Sequence, residues 1–441
     1  MSDTTIVIIL ALLAFVFCGV HIGVALGVTA MIGLVMVVGF DAYTITGMVG
    51  STMYAALRDY VFAVLPLFML MGEFIAKSGV ATDVYIGINR VARGVPGRLG
   101  LATVLGNAVF AFVTGVSLAS AATFSRIAYP EMRRHGYNPG FALGSIAGSA
   151  CLGMLIPPST LMIVWGILTE LSIGHIFLAG VLPGLILTGF FVAYVIGIAV
   201  IKPEMAGEGA DRDDAALEAG GPTGRAVALS VIGLVSLVVL VLGGIWAGAF
   251  TPTEGAGVGS AGALVIGILR GMNAKDVWDA ILSVGRTSAP ILFLLLAAQL
   301  YSRTLAMAGV GVTIKSFFLD IGLDVWGIVA LMVVIWFVMG MLIDSISIML
   351  LTVPIFDPII RTLGLDPIAF SIIGILAIEA GLLTPPFGLV VYTVKSTVAD
   401  NDVSLGQIFA GSTAYWVMLL IVLILVAAAP GVATWMPQAL L

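Results

Sequence analysis

Long apolar runs separated by short polar breaks recur along the chain. They fall at about 5 to 20, 22 to 40, 61 to 76, 100 to 125, 140 to 170 and 173 to 201, then at about 226 to 247, 251 to 269, 287 to 302, 325 to 356, 368 to 398 and 414 to 436. Several reach the roughly 20 residues that a helix needs to cross the hydrocarbon layer. Polar and apolar residues do not alternate within them, so helices rather than barrel strands are predicted. Between the two series lies the one long hydrophilic stretch, Lys202 to Arg225, rich in Gly, Ala and acids. It reads as an extramembrane linker, which divides the chain into residues 1–201, a linker at 202–225, and residues 226–441.

The two parts share a register. Leu155-Ile156-Pro157-Pro158 answers Leu383-Thr384-Pro385-Pro386, and 385 − 157 = 228. Upstream, Gly136-Tyr137-Asn138-Pro139 answers Gly364-Leu365-Asp366-Pro367 at the same offset. Downstream, Ser172-Ile173-Gly174-His175-Ile176-Phe177 answers Ser404-Leu405-Gly406-Gln407-Ile408-Phe409 at 404 − 172 = 232. One register with one short slip reads as an internal duplication.

Basic residues set the orientation. Arg90, Arg93 and Arg98 precede the 100 to 125 run and Arg126, Arg133 and Arg134 follow it, so both its ends are expected on the cytoplasmic side. A segment with both ends on one side is a re-entrant hairpin. Threading outward gives about five crossings per half, an odd number, so the second half is expected to be inverted. Its hairpin, 325 to 356, should enter from outside, and its flanks (Lys315, Asp320, Asp324, Asp357, Arg361) show no basic excess. Arg270, Lys275 and Arg286 land inside. The expected fold is an all-α polytopic membrane protein, an inverted repeat with one re-entrant helical hairpin and one Pro-Pro-broken helix per half. Inverted repeats with broken helices meeting near the midplane are the architecture of secondary transporters.

Composition agrees. The 441 residues are 61% hydrophobic and 10% charged, against roughly 25% charged in soluble domains. Net charge is −6, with much of the acidity in the linker, which points to the lipid bilayer and to no nucleic-acid partner. No Lys or Arg precedes the first run, so the first span is expected to be retained rather than cleaved. Cys18 and Cys151 both lie in apolar segments, arguing against a disulfide framework, a transition-metal cluster or a thiol catalyst.

The chemistry gathers at the breaks and the hairpin tips. A Pro-Pro pair removes backbone donors and leaves upstream carbonyls without intrahelical partners. Such oxygens can turn toward a cation, and Gly153 and Gly381, each four residues before the first proline of its pair, allow the close approach. Ser159, Thr160 and Thr384 add hydroxyls. Oxygen-only clusters suit a hard cation such as Na⁺. The first tip reads Thr114-Gly115-Val116-Ser117-Leu118-Ala119-Ser120, the second Gly340-Met341-Leu342-Ile343-Asp344-Ser345. Asp344 is the most informative carboxylate, since an intramembrane acid is costly and usually functional; the competing reading is a structural hydrogen bond. Glu379, shortly before Pro385, either binds a cation or proton or caps the break. Arg303 either pairs with an anionic substrate or snorkels to a head group. Glu73 and Lys77, at i and i+4, read as a local pair, and His21, His135 and His175 are assigned no role.

At these motifs the chain resembles the large (M) membrane subunit of the tripartite ATP-independent periplasmic (TRAP) transporters, within the ion-transporter superfamily of elevator proteins. The resemblance covers nearly the whole chain. It is carried by Gly153 to Ser159 (GMLIPPS), Ser172 to Gly184 (SIGHIFLAGVLPG), Phe250 to Glu254 (FTPTE) and Leu383 to Leu389 (LTPPFGL). It implies an elevator-type scaffold plus transport domain in the bacterial inner membrane and Na⁺-driven uptake of an organic acid, such as a C4-dicarboxylate or sugar acid. It further implies two partners, a periplasmic substrate-binding (P) protein and a small membrane (Q) subunit, the latter not expected to be fused to this chain. By position, Na⁺ ligands would come from Thr114, Gly115, Ser117, Ser120, Gly153, Ile156, Pro157, Ser159, Gly340, Asp344, Ser345, Gly381, Thr384 and Gly388. The carboxylate would meet Ser117, Ser159, Thr160, Arg303 and Pro386. Two departures from the family pattern, Val116 in the first tip and Val390 after the second break, each remove a polar ligand.

Two rivals stand beside this reading. A stand-alone Na⁺/dicarboxylate symporter of the same superfamily would need no binding protein. An intramembrane enzyme would need a nucleophile with a base or metal ligands at depth. No Ser/His, His-Glu or paired-aspartate constellation offers that, so the chain is expected not to be an enzyme.

Overall fold

A computed structural model describes residues 3–207 and 223–440, apart from 312, 314, 315, 317–321, 399 and 401. Most of the predicted linker, and the predicted hairpin flanks Lys315 and Asp320, lie outside the described residues. The described chain is helical: α1 (Asp3–Phe17), α2 (Ile22–Val38), α3 (Ala42–Arg58), α4 (Val64–Lys77), α5 (Val80–Val91), α6 (Arg98–Thr114), α7 (Ser117–Arg134), α8 (Pro139–Ala150), α9 (Leu152–Leu155), α10 (Thr160–Thr169) and α11 (Ile173–Ile201). After the linker come α12 (Gly224–Trp246), α13 (Pro252–Leu269), α14 (Ala274–Met307), α15 (Val325–Gly340), α16 (Ser345–Thr362), α17 (Pro367–Gly381), α18 (Leu389–Thr397), α19 (Leu405–Ala428) and α20 (Gly431–Leu440). Among the described residues, eight helical segments are long and apolar enough to cross a membrane.

Local chemistry sets the boundaries. Asn138 and Asp366, the matched residues before proline, both cap a helix that carries Pro at its first position: Asn138 accepts from the Phe141 amide, and Asp366 accepts from Ile368 and Ala369. Proline costs nothing there because that N–H has no intrahelical acceptor. The glycines that open the two turns, Gly136 and Gly364, adopt φ of 74° and 75°, the left-handed region that favours glycine. Thr251 with Glu254, Asn273 with Asp276 and Ser404 with Gln407 form capping boxes, each satisfying two orphan donors.

Several predicted boundaries are corrected. The 287 to 302 run is part of a single 34-residue helix, α14, whose first turns carry Lys275, Asp276, Asp279 and Arg286 and so escape an apolar reading. The hairpin predicted at 100 to 125 extends to Arg134, its second arm being polar. The last run, 414 to 436, is two helices, because Ala429 before Pro430 leaves the helical region, as a residue before proline tends to do. Two amphipathic helices, α3 and α5, fall in stretches read as connections. Glu73 and Lys77 form no ion pair among the described residues; Lys77 sits exposed in the last turn of α4, where a cation complements the helix dipole.

The two parts of the chain are interlocked. Helix α2 packs on α14 while α4 packs on α13, and α10 packs on α16 while α7 packs on α18. Each part thus supplies a neighbour for the other's corresponding helix. Helix α8 approaches α19 at Gly144 and Gly411, where a methyl on either would strike the other's backbone. Close approach at small residues is how helices gain packing energy where lipid supplies no hydrophobic drive. Trp165 of α10 lies edge-on to Trp336 of α15 at 5.7 Å and to Phe370 of α17 at 6.0 Å. The Trp336 indole N–H finds the Thr352 hydroxyl at 2.7 Å, so this aromatic core leaves that donor satisfied.

Candidate functional site

Each hairpin turn rests against the proline break of its own part of the chain. Helix α6 ends on Gly115, left-handed at φ 58°, and Val116 runs extended into α7. The Gly115 carbonyl accepts from the Thr160 amide at 3.0 Å, and a methyl on Gly115 would strike the Pro158 carbonyl oxygen. At the other tip the Met341 carbonyl accepts from the Phe387 amide at 3.2 Å. Both Pro157-Pro158 and Pro385-Pro386 peptides are cis.

The first contact gathers most of its predicted residues. Thr114 and Ser120 hydroxyls lie 3.3 Å apart across the turn. Ser117 is buried at the start of α7. Gly153 faces the turn so closely that a methyl there would lie 3.3 to 3.4 Å from Val116, Ser117 and Ser120. Ile156 is extended, closing α9 through its amide to the Leu152 carbonyl at 2.8 Å. Ser159 donates to the Met154 carbonyl at 2.6 Å and caps α10. Pro157, Ser159 and Thr160 are buried.

The second contact is built differently. Gly340 and Gly381 face each other, a methyl on Gly340 coming within 2.8 Å of the Gly381 Cα. Asp344 caps α16, accepting from the Ser347 amide at 3.0 Å and from the Ser347 hydroxyl. In the repeat register Asp344 answers Val116, so the first tip carries an apolar residue where the second carries its cap. Thr384 donates to the Ala380 carbonyl at 2.7 Å. Gly388 has φ 53°, and a methyl there would press on the Phe409 ring. Pro385, Pro386 and Phe387 are exposed, in contrast to the buried first break.

Arg303 lies elsewhere. It donates to the Thr52 and Ser51 hydroxyls of α3 at 2.6 and 3.1 Å. With Asp59, Glu170 and Gln299 it lines a cavity of about 720 Å³ that none of Ser117, Ser159, Thr160 and Pro386 reaches.

Sequence reading left two groups unassembled. Ser345 donates to one Glu379 carboxyl oxygen at 3.0 Å, while the Cys151 thiol lies 3.9 Å from the Glu379 carbonyl. Asn107 donates to Ser149 at 2.7 Å, Ser149 to the Ser145 carbonyl, and Tyr415 to the Ser145 hydroxyl at 2.9 Å. The first group was findable, because Cys151 and Glu379 occupy matched positions in the repeat register, as do Ser117 and Ser345.

What the tip contacts offer is oxygen. Hydroxyls and backbone carbonyls converge there, and none of the described ion pairs involves them. Such a donor set fits a hard cation and has no soft ligand for a transition metal. Among the described residues no group of three or more His, Cys, Asp or Glu could hold a metal.

The chain as a whole has relatives among known proteins. The family model described as the DctM component of the tripartite ATP-independent periplasmic transporters matches residues 9–432. A C4-dicarboxylate TRAP transporter large permease protein from Pseudomonas aeruginosa is 31% identical, covering 86% of this chain and 87% of its own length. A sialic acid TRAP transporter large permease protein from Vibrio cholerae is 25% identical over 97% of this chain and 96% of its own. An ectoine/5-hydroxyectoine large permease from Ruegeria pomeroyi is 28% identical, at 94% of each. Among solved structures, the Alcanivorax borkumensis YdaH transporter superposes with a TM-score of 0.61 at 16% identity, covering 91% of this chain and 90% of that one, a likeness of fold.

Proposed function

This chain belongs to the DctM component family of the tripartite ATP-independent periplasmic transporters, and we propose that it is a permease in which a sodium gradient drives uptake of an organic acid. It is a multi-pass membrane protein and a large TRAP permease subunit. On this reading a periplasmic binding protein delivers the acid, a small membrane subunit widens the scaffold, and the assembly sits in a bacterial inner membrane. Names of the relatives that specify a C4-dicarboxylate and sialic acid support a carboxylate cargo.

The observation that carries the reading is the pair of tip-to-break contacts, each made by one backbone hydrogen bond between a hairpin turn and a proline break. Na⁺ bound among the oxygens of such a contact would hold tip and break together, and the acid would lie between the two contacts. Coupling follows from electrostatics: a fully loaded block crosses the apolar layer cheaply, and a partly loaded, charged one does not. The block would be α6–α11 with α15–α20, moving against α1–α4 and α12–α14 as an elevator. Exchange of roles between two inverted halves would give the outward and inward states. One break buried and the other exposed is what a one-sided state of such a cycle requires.

The test is uptake into proteoliposomes containing the chain and its small subunit, with purified binding protein outside. Acid accumulation should require both an inward Na⁺ gradient and the binding protein. Na⁺-driven uptake without any binding protein would sink the tripartite reading in favour of a stand-alone symporter.

A further inference from the structure

On the side that the basic residues mark as cytoplasmic, the protein holds a cavity that the transport cycle above does not use. It measures about 280 Å³ and lies between helix α5, the turn after it, and the two arms of the first hairpin. Arg90 comes from α5, Arg93 from the turn, Arg98 from the first position of α6 and Arg126 from α7. One carboxylate, Glu131, lines it with them, and that group already holds Arg134 at 3.5 Å. Four guanidiniums against one carboxylate leave the cavity strongly positive.

Two further observations bear on what that charge is for. The Tyr85 side chain lines the cavity and is 2% exposed, and its hydroxyl has no hydrogen-bond partner. A buried hydroxyl without a partner is costly, and an anion in the cavity supplies the acceptor it lacks. The surroundings are also partly apolar: Ile86 and Ile127 are half-buried in the lining, and Val91, beside Arg90, is 89% exposed. An amphipathic helix with arginines next to exposed apolar residues belongs at the boundary between head groups and acyl chains. The abundant anion at that boundary is the phosphate of a lipid.

We propose that this cavity is a phosphate site, filled from the cytoplasmic leaflet by the headgroup of an anionic phospholipid, and that the bound phosphate ties α5 to the first hairpin. A phosphodiester offers several acceptor oxygens, which suits guanidiniums arriving from three helices and a turn better than one planar carboxylate does. A guanidinium carries five N–H donors, so each arginine keeps its other contacts and still gives one to the phosphate. Tyr85 adds a neutral donor. The acyl chains would run along Ile86 and Ile127, which a free phosphate ion would leave bare. Helix α5 joins α4 to the hairpin, so the lipid would sit where the still part of an elevator meets the moving part. The inference does not depend on which ion or acid the permease carries.

The experiment follows melting of the full chain, stripped of lipid in a zwitterionic detergent, as phosphatidylglycerol, phosphatidylcholine or inorganic phosphate is added. Phosphatidylglycerol should raise the melting midpoint and phosphatidylcholine should not. The phosphatidylglycerol concentration for half the effect should rise about fivefold in Arg93→Gln and in Arg126→Gln, and about 25-fold in the double variant. Both side chains are exposed, so these variants are expected to fold. Arg286→Gln removes the same charge from an exposed position outside the cavity and should leave that concentration unchanged. Tyr85→Phe should raise it about tenfold while the lipid-free variant melts no lower than the wild type. A shift by inorganic phosphate alone that matches the lipid's identifies the occupant as the free ion; a lipid shift that persists in excess phosphate identifies it as the lipid. Equal shifts by the two lipids with none from phosphate overturn the inference, and so does an Arg286→Gln effect as large as that of Arg93→Gln. The comparison of lipids on the wild type needs no variant and decides even if one fails to fold.

Discussion

Arg133 and Arg361 occupy equivalent positions in the two parts of the chain, and each ties the outer end of its own hairpin to the far end of the other part's broken helix. Arg361 of α16 donates to the Thr169 carbonyl at the end of α10 at 2.9 Å and to Asp357 at 2.7 Å. Arg133 of α7 reaches Asp400, just beyond α18, at 3.5 Å, and the Tyr129 hydroxyl donates to the same carboxyl. The hairpins are thereby held at both ends: by their tips within one part of the chain and by their bases across to the other.

The two clasps should differ in strength. Asp357 is buried and one of its oxygens already lacks a partner, so Arg361→Ala leaves a buried carboxyl unpaired, whereas the partner of Arg133 is more exposed. Arg361→Ala should cost about 1–3 kcal/mol, and Arg133→Ala distinctly less, as solvent-screened pairs do. Melting in detergent, followed by size-exclusion of the remaining monodisperse protein, ranks them.

The second clasp should also weaken in acid. The Tyr129 hydroxyl, then the Asp402 amide and Arg133, hold the Asp400 carboxyl below its ordinary pKa. A carboxyl whose folded pKa is lowered contributes stability above the unfolded value of about 3.9 and loses it as pH falls through the folded one. The melting difference between wild type and Tyr129→Phe should hold steady from about pH 5 to 8 and shrink below about pH 4.

Asp344 can be divided into its two tasks. Asn caps helices about as well as Asp, while Ala costs roughly 0.5–2 kcal/mol. Asp344→Asn should therefore melt like the wild type yet lose Na⁺-dependent uptake, and Asp344→Ala should lose both. Wild-type sodium dependence in the Asn variant would reduce Asp344 to a cap.

Gly115 has no room for change. Its φ of 58° and the Pro158 carbonyl against it mean that Gly115→Ala strains the turn and parts the tip from the break. Uptake should fall by about tenfold or more, equivalent to about 1.4 kcal/mol, while membrane insertion, read by surface labelling, is retained.

The two breaks should differ in accessibility. In a chain with Cys18 replaced by Ser, Phe387→Cys should react readily with a small water-soluble maleimide, since Phe387 is 52% exposed, and Ser159→Cys should not, since Ser159 is fully buried. Equal labelling of both in the resting protein would contradict a one-sided state.

Much of the fold was legible because its strongest signals are punctuation. Proline pairs, and Asn138 and Asp366 before proline, act locally, so matching them between the two parts pointed to the breaks, while basic residues on both flanks of the 100 to 125 run pointed to the first hairpin. What was not legible depends on partners. Helices α3 and α5, and the first turns of α14, are too polar for an apolar window, although local caps such as Asp41 and the Asn273–Asp276 box start α3 and α14. At the site, the tip and break residues were named from local motifs and do come together. Glu379 was visible only as an isolated acid, because its contacts, Ser345 and Cys151, lie far from it in sequence. Arg303, by contrast, carried a plausible charge and proved to face α3 rather than the tips.

The crossing-over of α2 onto α14 and of α4 onto α13 has a consequence for how the protein is made. Helix α2 begins at Ile22, and its neighbour α14 begins only at Ala274, beyond the linker. At ribosomal rates of about 5–20 residues per second, the early helix waits about 10 to 50 s in the membrane before its partner exists. Chaperones or insertases that shield half-covered helices would act in that interval, and a nascent chain stalled at the linker would have no finished body to fall back on.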